Sequence, residues 1–163
     1  MATSLFDRAA YRVRQLRRSL RPRVDDTERD RAREILGPQL FPLFDSMQAT
    51  DQRHCLDVYK RLTDTGCNDA EVLTAALIHD AGKGRIAGAR FGVHHRILYT
   101  AIERWPQLVN ATAQVDPGMR ALKEHDARTL ALAREYGASP GVVALLEGTD
   151  PRAPALKAAD DWS

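Results

Sequence analysis

Apolar residues recur along this chain at intervals of three and four, the spacing of helices that bury one face, and the strict alternation of a half-buried strand is nearly absent. Leu5, Phe6, Ala9, Val13, Leu16 and Leu20 fall within about 100° of arc and predict one amphipathic helix, which Arg21-Pro22 ends. A second, highly charged helix is predicted from Asp25 or Asp26 to Ile35-Leu36, with Gly37-Pro38 as its stop. Leu40, Phe41, Leu43, Phe44 and Met47 then form a short apolar stretch with the look of a core-packing helical turn. Thr50 is a good N-cap for a helix from Asp51 to about Thr65, with Gly66 behind it. Asn68 or Asp69 caps the next helix, where Val72, Leu73, Ala76 and Leu77 lead to Asp80 and a stop at Gly82. Its near-continuous apolar character makes it the most buried helix of the set.

Residues 81–92 hold four glycines and read as a loop. A helix from about Val93 to Trp105 should end at Pro106. Asp116-Pro117, an N-cap followed by proline at the first helical position, opens a long helix to Tyr136. Ser139-Pro140 repeats that device for a short helix to Leu146, and Asp150-Pro151 sets up a last turn from Ala155 to Trp162. The expectation is an all-α protein of about seven helices in one domain.

Composition narrows the class. At 163 residues the chain suits one domain with a real core, and 44% hydrophobic with 28% charged residues is ordinary for a soluble protein. The longest apolar stretch, Val72 to Ile78, is interrupted by Thr74 and is far short of the ~20 residues a membrane helix needs. No apolar leader core follows the start, so a cytoplasmic protein is expected. Cys55 and Cys67 have no zinc spacing and read as two free thiols in a reducing compartment.

Charge is polarised. Residues 1–23 carry seven arginines against Asp7, a net +6, which leaves −4 for the remainder of a chain whose total is +2. This segment reads as a basic amphipathic helix set before a domain at 24–163. Arg8, Arg12, Arg14, Arg17, Arg18, Arg21 and Arg23 lie mostly off its apolar stripe, as on the solvated face of a packed helix. A patch for nucleic acid or an anionic surface, or a targeting peptide, are the alternatives. No aromatic residues interleave the arginines to stack bases, so direct nucleic-acid recognition is unsupported.

Chemistry concentrates on few residues. His54 falls in the first turn of the Asp51 helix, while His79 and Asp80 stand together at the end of the most buried one, followed by Ala81-Gly82-Lys83. A carboxylate buried without a partner costs several kcal/mol, which a divalent cation would offset. A further Asp160-Asp161 lies some 80 residues on.

The segments Asp51-Gln52-Arg53-His54, Ala75-Ala76-Leu77-Ile78-His79-Asp80-Ala81-Gly82-Lys83 and Leu156-Lys157-Ala158-Ala159-Asp160-Asp161 together resemble the HD superfamily of metal-dependent phosphohydrolases. The likeness is to a small bacterial family of stand-alone HD-domain proteins, and it covers roughly residues 25–163. It implies His54, His79, Asp80 and Asp160 as ligands of one divalent ion. Two neutral imidazoles and two carboxylates balance such an ion. The mixed nitrogen and oxygen donors favour manganese, iron, cobalt or nickel and permit magnesium or zinc. It further implies a small phosphorylated substrate, plausibly a nucleotide, attacked by an acidified water.

Lys83 would meet the phosphate as a point charge, with a solvated loop lysine as the alternative. His125, in Lys123-Glu124-His125-Asp126, is similar to a site-lining histidine of related proteins and could bind phosphate or protonate the leaving group. Helical periodicity alone leaves Asp160 and Asp161 equivalent; the resemblance selects the first. His94-His95 read as surface residues, with a lid or substrate contact as the alternative. Relatives often carry a histidine pair where this chain has Glu147-Gly148-Thr149-Asp150, which argues against a second metal. The competing reading is a non-catalytic module that keeps the helical fold for binding or regulation. Asp160 lies close to the end of the sequence, so its helix must be docked, a part suited to Trp162.

Overall fold

A computed structural model of the chain describes residues 23–162. Every regular element among them is helical: α1 (Asp26–Ser46), α2 (Ala49–Asp64), α3 (Ala70–Ile78), a 3-10 turn (Ala81–Lys83), α4 (Val93–Ile102), α5 (Pro106–Val115), α6 (Pro117–Lys123), α7 (His125–Glu135), α8 (Pro140–Glu147) and α9 (Ala153–Asp160). The basic helix expected over residues 1–23 lies outside the described residues, save Arg23.

α3 is the hub. Val72, Ala75, Ala76, Leu77 and Ile78 are all buried, as its unbroken apolar pattern requires. It packs against α1, α2, α8 and α9. Leu43 and Phe44 of α1, Cys55 and Val58 of α2, Leu145 of α8 and Leu156 of α9 close the same core around it. Asp69 starts α3 by accepting from the backbone N–H groups of Glu71 and Val72. Asp25 starts α1 through a reciprocal capping box with Glu28. A smaller cluster, Ala89, Phe91, Ala121 and Leu122, gathers the stretch ahead of α4 onto α6.

The helices differ from the expectation in three places. Gly37 has φ 62° and ψ 179°, which bends α1 into the two segments expected around it without separating them. Pro106 begins a helix instead of only ending one: it occupies the first position of α5, where its missing N–H costs nothing. The long helix expected from Pro117 to Tyr136 is broken at Glu124, whose ψ of 2° leaves the helical range. Part of the 81–92 loop also tightens into the 3-10 turn. Both cysteines are free thiols, as expected. No helix among the described residues is long and apolar enough to cross a membrane.

Arg152 fastens the front of α9 to the front of α3. Its guanidinium meets Asp69 at 2.7 Å, Glu71 at 2.8 Å and Asp150 at 2.8 Å. Hydrogen bonds from the Arg152 side chain and backbone hold the Asp150 carboxyl down at about 2. A depressed carboxyl stabilises the fold above its unfolded pKa and loses that contribution as pH falls toward the folded value. Melting temperature should therefore fall between about pH 4 and pH 2. Arg152→Met should flatten that slope, as thermal melts across the window would reveal.

Candidate metal centre

The site forms where α2, the end of α3 and the end of α9 meet. One ligand atom from each of His54, His79 and Asp80 can be chosen so that all lie within 4.8 Å of one another. Asp160 closes the group from α9, with Oδ1 2.7 Å from His54 Nε2 and 3.5 Å from His79 Nε2. Asp161 turns away to Lys157, at 3.4 Å. Of the two aspartates that periodicity left equivalent, Asp160 is the one that faces the histidines. α9 is docked for this by its buried Ala153, Leu156 and Ala159, and Arg61 of α2 lies over the Trp162 ring at 5.1 Å.

His79 is oriented by main chain. Its Nδ1 lies 2.9 Å from the Ala76 carbonyl oxygen, so Nδ1–H donates there and Nε2 points into the cluster. That Nε2 is buried and makes no hydrogen bond. Orphaned buried polar atoms are rare in native folds, and an imidazole fixed through one nitrogen with the other bare is the arrangement of a metal ligand. The residues present therefore fit a divalent ion. Beneath the ring, Cys55 Sγ lies 3.7 Å from Nδ1, and burial pushes its thiol pKa up, which keeps it protonated. Burial opposes charge on His79, but the Asp160 and Asp80 carboxylates outweigh it and hold the ring's pKa well above its ordinary value. The cluster attracts positive charge.

Asp80 is the most enclosed member, with 5% of its side chain exposed. Burial alone would raise its pKa; the charges of Lys83, His79 and His54 overcome that and hold it well below the ordinary carboxylate range. Asp160 is lowered too, first by its hydrogen bond with His54 and then by the adjacent His79 imidazole. Lys83 sits 2.8 Å from both Asp80 oxygens. It is not a solvated loop lysine: its charge is engaged with the carboxylate one helical turn before it. Burial works against that charge, and Asp80 more than restores it.

The break at Glu124 makes His125 the first residue of α7. Its Nδ1 lies 2.5 Å from the Leu122 carbonyl, which turns Nε2 toward Asp80 Oδ1 at 3.8 Å and Asp126 Oδ1 at 3.1 Å. Of the other histidines, His95 is structural. Its Nδ1 accepts from the Gly92 backbone N–H at 2.9 Å, its Nε2 meets Asp116 at 3.2 Å, and its ring fills the space beside Gly118. His94 is exposed and stacks on it at 3.9 Å.

Several supporting residues carried no signal in the sequence. Thr129 of α7 accepts from the Gly82 N–H at 2.8 Å and donates to the His79 carbonyl at 3.0 Å, tying α7 to the turn that follows the His-Asp pair. Asp51, one turn before His54, is buried and bound by both Arg96 guanidinium nitrogens at 2.7 and 2.6 Å. Arg53, although next to His54, points away and grips Glu28 of α1. Compared with known proteins, the chain matches no family model, no curated protein and no solved structure.

Proposed function

We propose that the protein is a metal-dependent phosphohydrolase that cleaves a small phosphate ester. The observation that carries this reading is the bare, buried Nε2 of His79, aimed at two carboxylates and a second imidazole. His54, His79, Asp80 and Asp160 would hold the ion. A divalent cation there supplies the Lewis acidity that acidifies water and polarises a phosphoryl oxygen. The mixed donors favour manganese, iron, cobalt or nickel over magnesium or zinc.

The chain's own groups divide the remaining work. Lys83 keeps Asp80 ionised and fixed in direction. His125, with its Nδ1–H committed to Leu122 and its Nε2 3.1 Å from Asp126, would hand a proton from Nε2 to the departing oxygen. The water oxygen bonds to phosphorus, the ester P–O bond breaks, and the leaving alcohol takes the proton. Inorganic phosphate and the free alcohol result.

The test is a screen of phosphomonoesters and nucleotides with manganese, cobalt, nickel, magnesium or zinc, run beside thermal melts. Turnover should require metal and cease on chelation. The same metals should raise the melting temperature of the wild type but not of Asp80→Ala. His125→Ala should slow alkyl phosphates about 10²–10⁴-fold and activated aryl phosphates far less, because an aryl leaving group needs little protonation. Metal-dependent melting with no turnover of any ester would assign the protein to a binding or regulatory role instead. Melting and turnover indifferent to metal would overturn both.

A further inference from the structure

A cavity of about 470 Å³ opens beside the cluster between α7, α8 and α9. Its volume falls within the range of about 300–1,000 Å³ typical of sites for small organic ligands. His79 and Asp160 form one end, and Leu145, Leu146, Pro154 and Leu156 line the walls. Anything seated there has one end against two of the proposed ligands and the rest against aliphatic surface. Asp126 and Glu147 are also in the lining, and Glu147 is held by an ion pair with Arg134. Among the described residues that line it, Lys157 is the one lysine or arginine, and its ammonium lies 3.4 Å from Asp161.

We infer that this cavity takes the organic part of a phosphomonoester: an uncharged group of nucleoside size, with a flat or apolar face and hydroxyl or amino donors. This rests on the phosphohydrolase reading for the position of the phosphate. The aliphatic walls favour burial of an unsaturated ring over a short, fully hydroxylated chain. The Glu147 and Asp126 carboxylates accept hydrogen bonds from ribose hydroxyls or a base amino group. Asp126, Glu147 and Asp160 outnumber Lys157 in the lining, so additional phosphates meet a net negative surface. A substrate with one phosphoryl group is accepted and a polyphosphate is rejected by like charge.

Calorimetric titration of the protein, with and without manganese, decides the point. The probes are adenosine 5′-monophosphate, adenosine 5′-triphosphate and glycerol phosphate. The monophosphate should bind at least about tenfold more tightly than either of the others. Pro154→Trp replaces an exposed residue at the mouth with a ring that fills it, and should weaken the monophosphate about tenfold or more, within the effect of altered pocket contacts. The metal-dependent rise in melting temperature reports whether that variant still folds around its cluster. Glu147→Lys, a second variant on a solvent-facing side chain, should shift the preference toward the triphosphate by a similar factor.

Triphosphate or glycerol phosphate bound as tightly as the monophosphate would overturn the assignment, as would monophosphate binding unchanged in both variants. Absence of binding by all three probes would overturn it equally. Tight, selective monophosphate binding without turnover would instead remove the hydrolase reading and leave the cavity's ligand in place.

Discussion

Arg96→Leu should cost about 3 kcal/mol of folding stability, the low end of what is lost when one partner of a buried ion pair is removed. Asp51 has 2% of its side chain exposed, and Arg96 is its bidentate partner. Without the guanidinium, a carboxylate stays in a place that water scarcely reaches. Arg96 also ties down an element, α4, that buries none of its residues and whose Val93 and Ile97 face outward. The measurement is urea unfolding of Arg96→Leu, Asp51→Leu and the double variant. The double variant should recover most of the loss, since two apolar side chains leave no unpaired charge. Hydrogen exchange should show α4 as the first segment released in Arg96→Leu. Equal stabilities of single and double variants would contradict the pairing.

Gly82→Ala should be the second severe substitution. A Cβ at that position would stand 1.9 Å from the His125 carbonyl oxygen, 2.8 Å from its carbonyl carbon and 2.9 Å from the Thr129 nitrogen. These are backbone atoms of α7, so no side chain can swing aside. Relief requires α7 to move off the 3-10 turn, which breaks the Thr129 hydrogen bonds to Gly82 and His79. Overpacking of this kind costs about 1–3 kcal/mol and occasionally more, and here the upper end is expected. Chemical denaturation would give that loss, and the His125 imidazole shift would report the displacement of α7. Wild-type stability in Gly82→Ala would refute the close approach. By contrast, Gly88→Ala meets no atom within 4 Å, so its cost is limited to the strain of a φ of +70°.

These two predictions mark what was readable in the chain and what was not. Helix periodicity and the Asp-Pro and Ser-Pro signals are local, and they placed α3, α8 and the start of α6 well and the start of α9 two residues late. His79 and Asp80 were legible as a pair because such residue types are out of place at the end of a buried apolar helix, whereas His54 joined them only through the resemblance to HD phosphohydrolases. The break at Glu124 was not legible, because no Gly or Pro marks it; it arises from packing His125 against a turn far back in sequence. α5 was missed because proline before an apolar run signals both an end and a beginning. The Asp51–Arg96 pair spans 45 residues and the Thr129 bridge 47 and 50, and no local pattern encodes either partner. Lys83 was seen, but its engagement with Asp80 depends on the turn that brings it back. The resemblance to HD phosphohydrolases likewise rests on motifs in order, and the metal and turnover experiments are what test it.

His54 and Asp160 hydrogen-bond across 106 intervening steps of chain, which imposes an order of assembly during synthesis. At ~5–20 residues per second, a ribosome needs roughly 5–20 s to travel from one to the other. From Asp80 to Asp160 the nascent protein holds both imidazoles and the inner carboxylate without the outer one. Under the proposed metal assignment, the half-built cluster would lack one anionic donor and grip a cation more weakly until α9 has emerged and docked. Ion acquisition would then be timed to the completion of the fold, and a chain stalled before α9 would carry the core helices α1 to α3 without the full ligand set.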